Sequence, residues 1–558
     1  MAYIYPNGTL KILHNVNLNH DYDHTIYFDG RIAQSEYFLS KAKYTLDNQS
    51  YQRKERGFLQ VNIPQWNLFD CTYLMFKNQR ATPPATDKWF YAFINSVDYV
   101  NENVSIINFE IDVIQTWMFD YSLEPCFVER EHTSSDELFE NTIEEKLDVG
   151  DIYYNAQIST RWLFDPTLVC VVVTADLNKH AFTPAMQGNY FTGVYYKSFD
   201  LKDSTELSNL ISLLMNYVSA GLEDNIITIF QYPRFIGKIL PPDTGFSGST
   251  YAYTEHTFNP NLYSIDGYAP KNNKLFCYPY NYLSVSDKEG NGYEYKWELW
   301  YRFHRGEFRL EGCVFGKPTV QIVPKYYRDV RDSDDNLDYE SGLVYDNFPV
   351  CSWVGDSYQV WLAQNKNQLN ASALEGVFSG IVGLFNAHNI ETNPVRGALA
   401  LHYGVPNLNA AYMHREAAGQ MAQTLVDTGA KIGNLIARNS DAKNLPHKYH
   451  GNPSSAVLNI QNESSGFELK QMTVKREYAI IIDQYFSKFG YACRQVKIPN
   501  THVRTNWTYT KTVGCELTGN IPSDDASLIK SVFDHGITFW SNGNNVGNYG
   551  DFTNPILT

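Results

Sequence analysis

Lys88-Trp89-Phe90-Tyr91-Ala92-Phe93 is an aromatic run of the kind that fills half-buried β-strands. Aromatic residues make up 15% of the 558 residues, with 41 tyrosines and 32 phenylalanines, and most lie in short runs like this one. Asn, Asp, Gly and Pro bound these runs, as turn residues commonly bound strands. The sequence therefore predicts a β-rich protein with extensive half-buried surface.

The residues around this run predict an antiparallel sheet or barrel over 1–155. The clearest strands are predicted at Lys88–Ile94, Val97–Val100, Val104–Ile114 and Phe127–Arg130. Alternation within 108–114 puts three apolar side chains on one face and Glu110 and Asp112 on the other. The two acids could form a catalytic couple, but the pattern favours a solvated sheet face.

The pattern changes between residues 160 and 240, where a helical stretch separates two apolar strands, Leu168–Thr174 and Ile226–Tyr232. Asp203 can cap the helix, with Glu206 at the third position. No glycine-rich phosphate-binding loop accompanies these elements, which favours a packing domain. The stripe that would pack is Leu207, Leu210, Ile211, Leu214 and Val218.

Aromatic strand patterns return between residues 270 and 365, for example at Tyr293–His304 and Leu343–Val350. The C-terminal part mixes strands with two helices. One helix is predicted over Lys475–Phe489, ended by Gly490, and the other over Ser523–His535, with Ser523 as its N-cap.

Charge and cysteine content exclude several classes of protein. The formal net charge is −16, from 45 Lys plus Arg against 61 Asp plus Glu, which argues against tight phosphate binding. Eight scattered cysteines without close metal spacing indicate reduced core residues and neither a zinc site nor a disulfide framework. The acidic stretch 328–338 lacks the glycine of a calcium loop, and His447 and His450 lie in a linker, so no metal or cofactor is expected.

No HExxH, GxSxG, Walker or kinase signature occurs, and Gly245-Phe246-Ser247-Gly248-Ser249 is only a partial match to a nucleophile elbow. This favours a structural or binding protein over an enzyme. The two carboxylates of a glycosidase need only meet in space, so an enzyme that degrades cell-wall polysaccharide stays open as the alternative. Residues Met1–Gly8 show neither the basic nor the apolar region of a secretion signal, so secretion is not expected, and no apolar run reaches about 18 residues.

Blocks at both ends of the chain resemble one family. In their order and approximate spacing they are similar to the distal tail-knob protein of the small protein-primed, short-tailed phages of Gram-positive bacteria. The blocks are Lys88–Phe93, Phe109–Phe119, Arg130–His132, Phe486–Tyr491, Lys497–Asn500, Gly519–Ile521, Phe533–Trp540 and Gly547–Tyr549.

The resemblance implies a homohexameric tube at the tip of a phage tail that continues the DNA channel. It implies a virion protein, assembled in the host cytoplasm, that contacts the upper tail tube or collar, the tail tip and, during infection, the host membrane. Double-stranded DNA would pass without specific binding, because acids facing the lumen repel phosphate. In this family an apolar insertion first plugs the tube and then helps to open the host membrane.

Residues 371–438 are the candidate insertion, because Ala and Gly abound there and aromatic residues become rare. The first part, 376–387, is uncharged and, as a helix, would extend about 18 Å, which is too short to cross a hydrocarbon core of about 30 Å. The second part, 408–438, is an amphipathic helix with small and charged residues. Both parts could instead form a helical hairpin packed on the protein. The candidate plug and membrane-active residues are Val377, Phe378, Ile381, Val382, Leu384, Phe385, Met421, Leu425, Ile432 and Ile436.

These observations predict a mixed, β-rich fold. Antiparallel sheet or barrel tube domains would come from the N- and C-terminal parts, with an α/β insertion and a helical or loop insertion near residue 400. The expected domains are a β-rich tube-wall domain at 1–155, the α/β insertion at 156–245, a β-rich middle knob or cap domain at 246–370, the apolar insertion at 371–445 and an α+β part completing the wall at 446–558.

Overall fold

A computed structural model describes most of the chain outside the region around residue 400, and its described residues fall into two compact units. The first unit takes its residues from Met1–Tyr153, Leu262–Asn281 and Thr473–Thr558, and the second from Tyr154–Asn261 and Tyr282–Met472. The described residues are 8–49, 57–78, 88–145, 147–148, 150, 152–154, 161–162, 168–177, 182–187, 190–219, 222, 225–240, 251–287, 289–300, 304–314, 317–328, 336–348, 350, 353–355, 448–450 and 466–557.

Strands dominate both units. In chain order they are β1 (Gly8–His14), β2 (Thr25–Ile26), β3 (Ala42–Gln49), β4 (Gly57–Val61), β5 (Cys71–Asn78), β6 (Trp89–Asn101), β7 (Val104–Ile111), β8 (Tyr121–Leu123), β9 (Cys126–Glu131), β10 (Ile152–Tyr154), β11 (Arg161–Trp162), β12 (Leu168–Val173), β13 (Thr183–Gln187), β14 (Tyr190–Asp200), β15 (Ile226–Tyr232), β16 (Tyr251–Phe258), β17 (Asn281–Ser286), β18 (Gly292–Tyr295), β19 (Gly306–Cys313), β20 (Thr319–Pro324), β21 (Leu343–Tyr345), β22 (Trp353–Gly355), β23 (Lys448–His450), β24 (Glu468–Val474), β25 (Tyr491–Lys497), β26 (Trp507–Val513), β27 (Leu517–Gly519) and β28 (Ile537–Trp540). The α-helices are α1 (Arg31–Ser40), α2 (Val113–Trp117), α3 (Ser204–Ser219), α4 (Arg476–Phe489) and α5 (Ser523–His535).

The N-terminal part of the first unit forms a six-stranded antiparallel sheet, in the order β3-β1-β5-β6-β7-β4. The aromatic run at 88–93 opens β6, which continues through the residues predicted as a separate strand at Val97–Val100. Strand β7 ends at Ile111 and not at Ile114, because the side chain of Asp112 caps α2. The observed strand therefore ends three residues before the predicted end.

Strands from both ends of the chain interleave in a second sheet of the first unit, in the order β2-β28-β26-β9-β25. Its pairings are antiparallel except for the short parallel pair β2 and β28. Helix α4 ends at Gly490 as predicted. Helix α5 covers the predicted residues, but its N-cap is Pro522 and not Ser523, which is its first helical residue.

The second unit contains a four-stranded antiparallel sheet, in the order β13-β14-β12-β15, whose core includes residues of α3. Strand β12 is buried throughout, as its continuous apolar run predicts. The Asp203 carboxylate accepts a hydrogen bond from Thr205 N at 2.8 Å, so the predicted capping residue does cap α3. Three of its predicted stripe residues are buried, namely Leu207, Leu210 and Leu214.

Of the remaining sheets, the pair β27 and β8 lies in the first unit, and the others lie wholly or mostly in the second unit. One has the antiparallel order β16-β19-β20-β21, another the order β10-β24-β17-β18 with β11 also paired to β24, and β22 pairs with β23. The strand predicted at Tyr293–His304 is shorter than expected, because β18 ends at Tyr295 and a 3₁₀ turn follows at Trp297–Leu299.

The predicted mixed, β-rich fold with antiparallel sheets from the N- and C-terminal parts is confirmed. The insertion predicted near residue 400 lies outside the described residues. The five-part division of the chain stays a prediction.

Candidate functional site

The sequence blocks that resemble the family come from both ends of the chain, and in the structure they contact one another in the first unit. We call this region the terminal junction: α2, β9 and the residues that follow β9, together with the C-terminal elements that they contact. Buried Trp117 of α2 donates a hydrogen bond from Nε1 to Asp525 Oδ2 of α5 at 2.6 Å. Aromatic side chains from both ends share one core, among them Tyr73, Tyr91, Phe93, Phe533, Phe539 and Trp540.

Arg130 of β9 contacts the turn that follows α4. Its Nη1 donates to the carbonyl oxygen of Gly490 at 2.7 Å, and its Nη2 forms an ion pair with buried Glu145. Glu145 also accepts a hydrogen bond from the backbone N–H of Ala492 at 3.0 Å. The guanidinium and this carboxylate therefore connect the N-terminal part to the first residues of β25.

Glu131 is fully buried and accepts two hydrogen bonds from Asn500, one from its backbone N and one from Nδ2, each at 2.8 Å. Lys497 forms an ion pair with the same carboxylate. Burial raises the pKa of Glu131, and the bonds from Lys497 and Asn500 oppose that rise. The donors from Asn500 and Lys497 offset the free-energy cost of burying this carboxylate.

His132 is neutral and fixes its own tautomer. Its Nδ1 accepts a hydrogen bond from Tyr509 N at 2.8 Å, so the proton resides on Nε2, which donates to the carbonyl oxygen of Ser487 at 3.1 Å. Burial, followed by the nearby Arg504 charge, lowers the pKa of His132 to about 3. The imidazole connects β26 to α4 and holds no proton that titrates near neutral pH.

Gly490 allows this close approach. Its φ is +65°, and a Cβ there would lie 2.1 Å from the carbonyl oxygen of Glu131. Glycine is therefore required at position 490 for two reasons. It ends α4 with a positive φ, and it lets the backbone of β9 lie against the backbone of this turn.

A third segment of the chain joins the first unit through Asp483 of α4. Its carboxylate accepts hydrogen bonds from Tyr268 Oη at 2.6 Å, from Lys271 N at 2.9 Å, and from Asn272 N and Nδ2 at 3.1 and 2.8 Å. Sequence reasoning did not identify these residues. No local pattern marks them, because the partners lie more than two hundred positions apart in the chain.

The two acids predicted to share a solvated sheet face are separated by the structure. Glu110 is exposed, but Asp112 is fully buried, so the prediction was wrong for Asp112. Its carboxylate accepts hydrogen bonds from Gln115 N at 3.0 Å and from Tyr73 Oη at 2.7 Å. Burial raises the pKa of Asp112 to about 6, although these hydrogen bonds oppose the rise.

The acids of the terminal junction accept hydrogen bonds from buried protein groups, so they cross-link segments of the chain. A surface cavity of about 650 Å³ is lined by Asn17, Leu18, His24, Val546, Gly547 and Asn548, a set without the carboxylate pair that a glycosidase requires. Burial raises the pKa of Cys71 and Cys493 to about 11, which makes these two thiols poor nucleophiles.

Within the described ranges no group of three or more His, Cys, Asp or Glu side chains could hold a metal ion. No helix in those ranges is long and apolar enough to cross a membrane.

The predicted plug and membrane-active residues, from Val377 to Ile436, all lie outside the described residues. The same holds for the partial nucleophile elbow at 245–249 and for most of the acidic stretch at 328–338. The roles predicted for the apolar residues stay predictions.

Comparison with known proteins identifies similar chains over almost the whole length. A family model described as "Bacillus phage phi29, Tail knob protein gp9, C-terminal domain" matches residues 247–552, and one described as "Caudoviral major tail protein N-terminus" matches residues 6–122. Tail knob protein gp9 of Bacillus phage phi29 is 24% identical over 609 aligned residues, covering 98% of this chain and 99% of the relative. Tail knob protein gp9 of Bacillus phage B103 is 25% identical over 608, with the same coverage.

A solved structure, that of the tail knob protein gp12 of bacteriophage C1, resembles this fold with a TM-score of 0.58. The match covers 99% of this chain and 100% of the other at 13% sequence identity. At that identity the likeness concerns the fold alone.

Proposed function

The chain belongs to the family of the tail knob protein gp9 of Bacillus phage phi29, and we propose that it forms a homohexameric tube at the distal end of a phage tail. It is a structural component of the tail and so of the virion. The observation that carries the proposal is the family match over 247–552, together with similarity to gp9 over nearly the full chain. The terminal junction supports a wall role, because it unites both ends of the chain in one packed unit.

The charge of the chain supports DNA conduction. Six copies at −16 each would carry about −96 formal charges, and acids that face a lumen repel phosphate. DNA then passes without binding tightly enough to stall. The upper tail tube or collar and the tail tip are the other tail proteins that such a tube would contact.

Residues 371–438 plug the lumen in this proposal and then help to penetrate the host membrane. The uncharged segment 376–387, with Phe378 and Phe385, enters lipid as a hairpin or interfacial element, because it is too short to span alone. The segment 408–438 combines small residues with charges that would be costly in lipid, so it assembles with its symmetry mates around a wet pore. Composition and the family resemblance support this assignment.

Electron microscopy of the purified protein tests the tube and the plug together. Class averages should show a six-fold ring with density at its centre, and the ring of a chain lacking 371–438 should have an open centre. A monodisperse monomer contradicts the tube. A ring whose central density survives the deletion contradicts the plug.

Membrane penetration has its own test in infecting particles. Phage carrying Phe378→Asp with Phe385→Asp should adsorb normally but deliver less DNA, measured as DNA entering the host. Phe58→Asp provides the matched control, since it makes the same change at an exposed phenylalanine of β4. Normal delivery by both the double variant and the 371–438 deletion would remove the membrane role.

No observation on the described residues favours the alternative of a cell-wall-degrading enzyme. That alternative requires release of soluble sugar from purified host cell wall, and loss of the release when a single Asp or Glu is changed.

A further inference from the structure

Three exposed apolar side chains lie side by side on one sheet of the first unit. Phe127 of β9 is paired in register with Val496 of β25 on one side and with Val513 of β26 on the other. Their exposed fractions are 39%, 71% and 55%, and Ile498, just beyond β25, is 57% exposed. We call Phe127, Val496, Val513 and Ile498 the apolar row.

Both neighbours of β9 show a shift in strand register next to the apolar row, at the same position along β9. The register between β25 and β9 shifts between Ala492 and Gln495, and that between β26 and β9 shifts at Glu129. Arg494, inside the first irregularity, has a φ of +46°, a conformation that costs free energy for a residue other than glycine. Bulges of this kind turn the following residues and are common at sheet edges. The apolar row therefore lies at an end of the sheet where the bulges change the direction of the strands.

Strand β25 also lies at the edge of its sheet, where it pairs β9 alone among the described strands. Arg494, Gln495 and Val496 are consecutive exposed residues, so this end of the strand is open on both faces. An edge strand with exposed apolar side chains is a site for pairing with another chain.

The charges around the row point to the chemistry of the partner. Lys511 pairs with Glu129 at 2.8 Å and Lys497 pairs with Glu131, which leaves exposed Arg494 as a surplus cation. The exposed positive charge of Arg494, on a chain of net charge −16, is complementary to the acidic surface of another copy. An apolar row is the wrong chemistry for a phosphate backbone, which is bound by cations and polar donors.

We propose that the apolar row and the open edge of β25 form one half of the contact between neighbouring copies of this chain. The inference rests on the proposed ring, and it assigns the ring a face. A closed ring needs a heterologous contact, in which two different surfaces of each copy meet. The apolar row supplies one of these surfaces, with Phe127 as its central aromatic anchor and the charged pairs as its polar rim.

Val496→Glu in the full chain tests this contact. Its side chain is mostly exposed, so the variant should fold with an unchanged circular dichroism spectrum and thermal midpoint. The carboxylate removes an apolar contact and faces the acidic surface of the neighbouring copy, so it should weaken assembly by about tenfold to a hundredfold, measured by native mass spectrometry across a concentration series. Ile481→Glu is the matched control, because Ile481 of α4 is 62% exposed and outside the row.

The outcomes separate this inference from the proposed ring. A wild-type chain that is monomeric at all concentrations contradicts the ring itself. A wild-type ring that persists unweakened in Val496→Glu, or that Ile481→Glu weakens equally, overturns the apolar row and leaves the ring standing.

A photoreactive phenylalanine at position 127 identifies the occupant in assembled tails. Irradiation should yield a product of twice the 64.0 kDa chain mass that contains only this chain. Cross-linking to another tail protein instead would overturn the assignment.

Discussion

Replacing Asp112 with Asn should remove a pH dependence from the stability of the first unit. Burial raises the pKa of Asp112 from its ordinary 3.8 to about 6, so the folded state holds this proton over a range where the unfolded state has lost it. The contribution of protonated Asp112 to the free energy of unfolding is therefore fully present below about pH 4, and it is lost as the pH rises through about 6. At about 1.4 kcal/mol per pH unit, the loss is about 3 kcal/mol.

The measurement is urea unfolding of the wild type and Asp112→Asn from about pH 4 to about pH 7, at one protein concentration. Asparagine keeps an oxygen that can accept the Gln115 N–H, so the cap on α2 survives. The difference in unfolding free energy between variant and wild type cancels the groups that the two proteins share. It should shift by about 2 kcal/mol in favour of Asn across this range, because the unfolded carboxyl is already partly ionised at pH 4.

Glu110→Gln is the control, because Glu110 is an exposed acid two residues earlier in the chain. Its difference from the wild type should stay flat with pH. The reasoning is refuted if the Asp112→Asn difference is equally flat, or if both variants show the same slope.

Three further predictions concern the terminal junction. Gly490→Ala should destabilise the protein by about 3 to 5 kcal/mol in urea unfolding, through the clash with β9, whereas Gly514→Ala, at nearly the same φ of +67° but in open space, should cost about 1 kcal/mol. Asp525→Ala leaves a buried indole N–H without its carboxylate and should cost about 2 kcal/mol, against about 0.5 kcal/mol for exposed Asp524→Ala in the same helical turn. The pKa of His132 is lowered to about 3, so its contribution to stability should be lost progressively as the pH falls below about 6.5. In acid titrations of unfolding, the free energy of unfolding of His132→Gln relative to the wild type should therefore rise as the pH falls. Equal effects within either substitution pair, or a His132→Gln difference that stays flat with pH, would contradict these assignments.

Local patterns predicted helices α3, α4 and α5 and several strands, among them β12 and β15, but they predicted neither α1 nor α2. Helix α4 ends at Gly490 as predicted, and β15 has the predicted bounds, Ile226–Tyr232, because periodicity and capping are properties of neighbouring residues. The error at Asp112 was also local. Asp112 and Gln115 form an Asp-x-x-Gln sequence, which is typical of a helix start, but the alternation of β7 masked that signal.

The contacts of the terminal junction were beyond local patterns. Glu131 and Asn500 lie 369 positions apart, and Asp483 and Asn272 lie 211 apart, so no spacing in the sequence reveals either pair. The family resemblance indicated that both ends matter, yet it specified no pairing between them. The sequence also does not predict that the apolar row is exposed. Val496 and Val513 are ordinary strand residues in the sequence, and only the strand register places them beside Phe127.

The order of strands in the shared sheet has a consequence for how the protein forms. Strand β9 comes from the N-terminal part, but both of its neighbours, β25 and β26, come from the last 70 residues of the chain. Until those residues are synthesised, β9 has two open edges, and Glu131 and His132 lack the donors and acceptors that make their burial tolerable. Because such long-range pairing must precede completion of the apolar row, the surface proposed to join neighbouring copies exists only on a fully synthesised and folded chain. Folding of the subunit therefore precedes its assembly, and a chain truncated before β25 should lose both together.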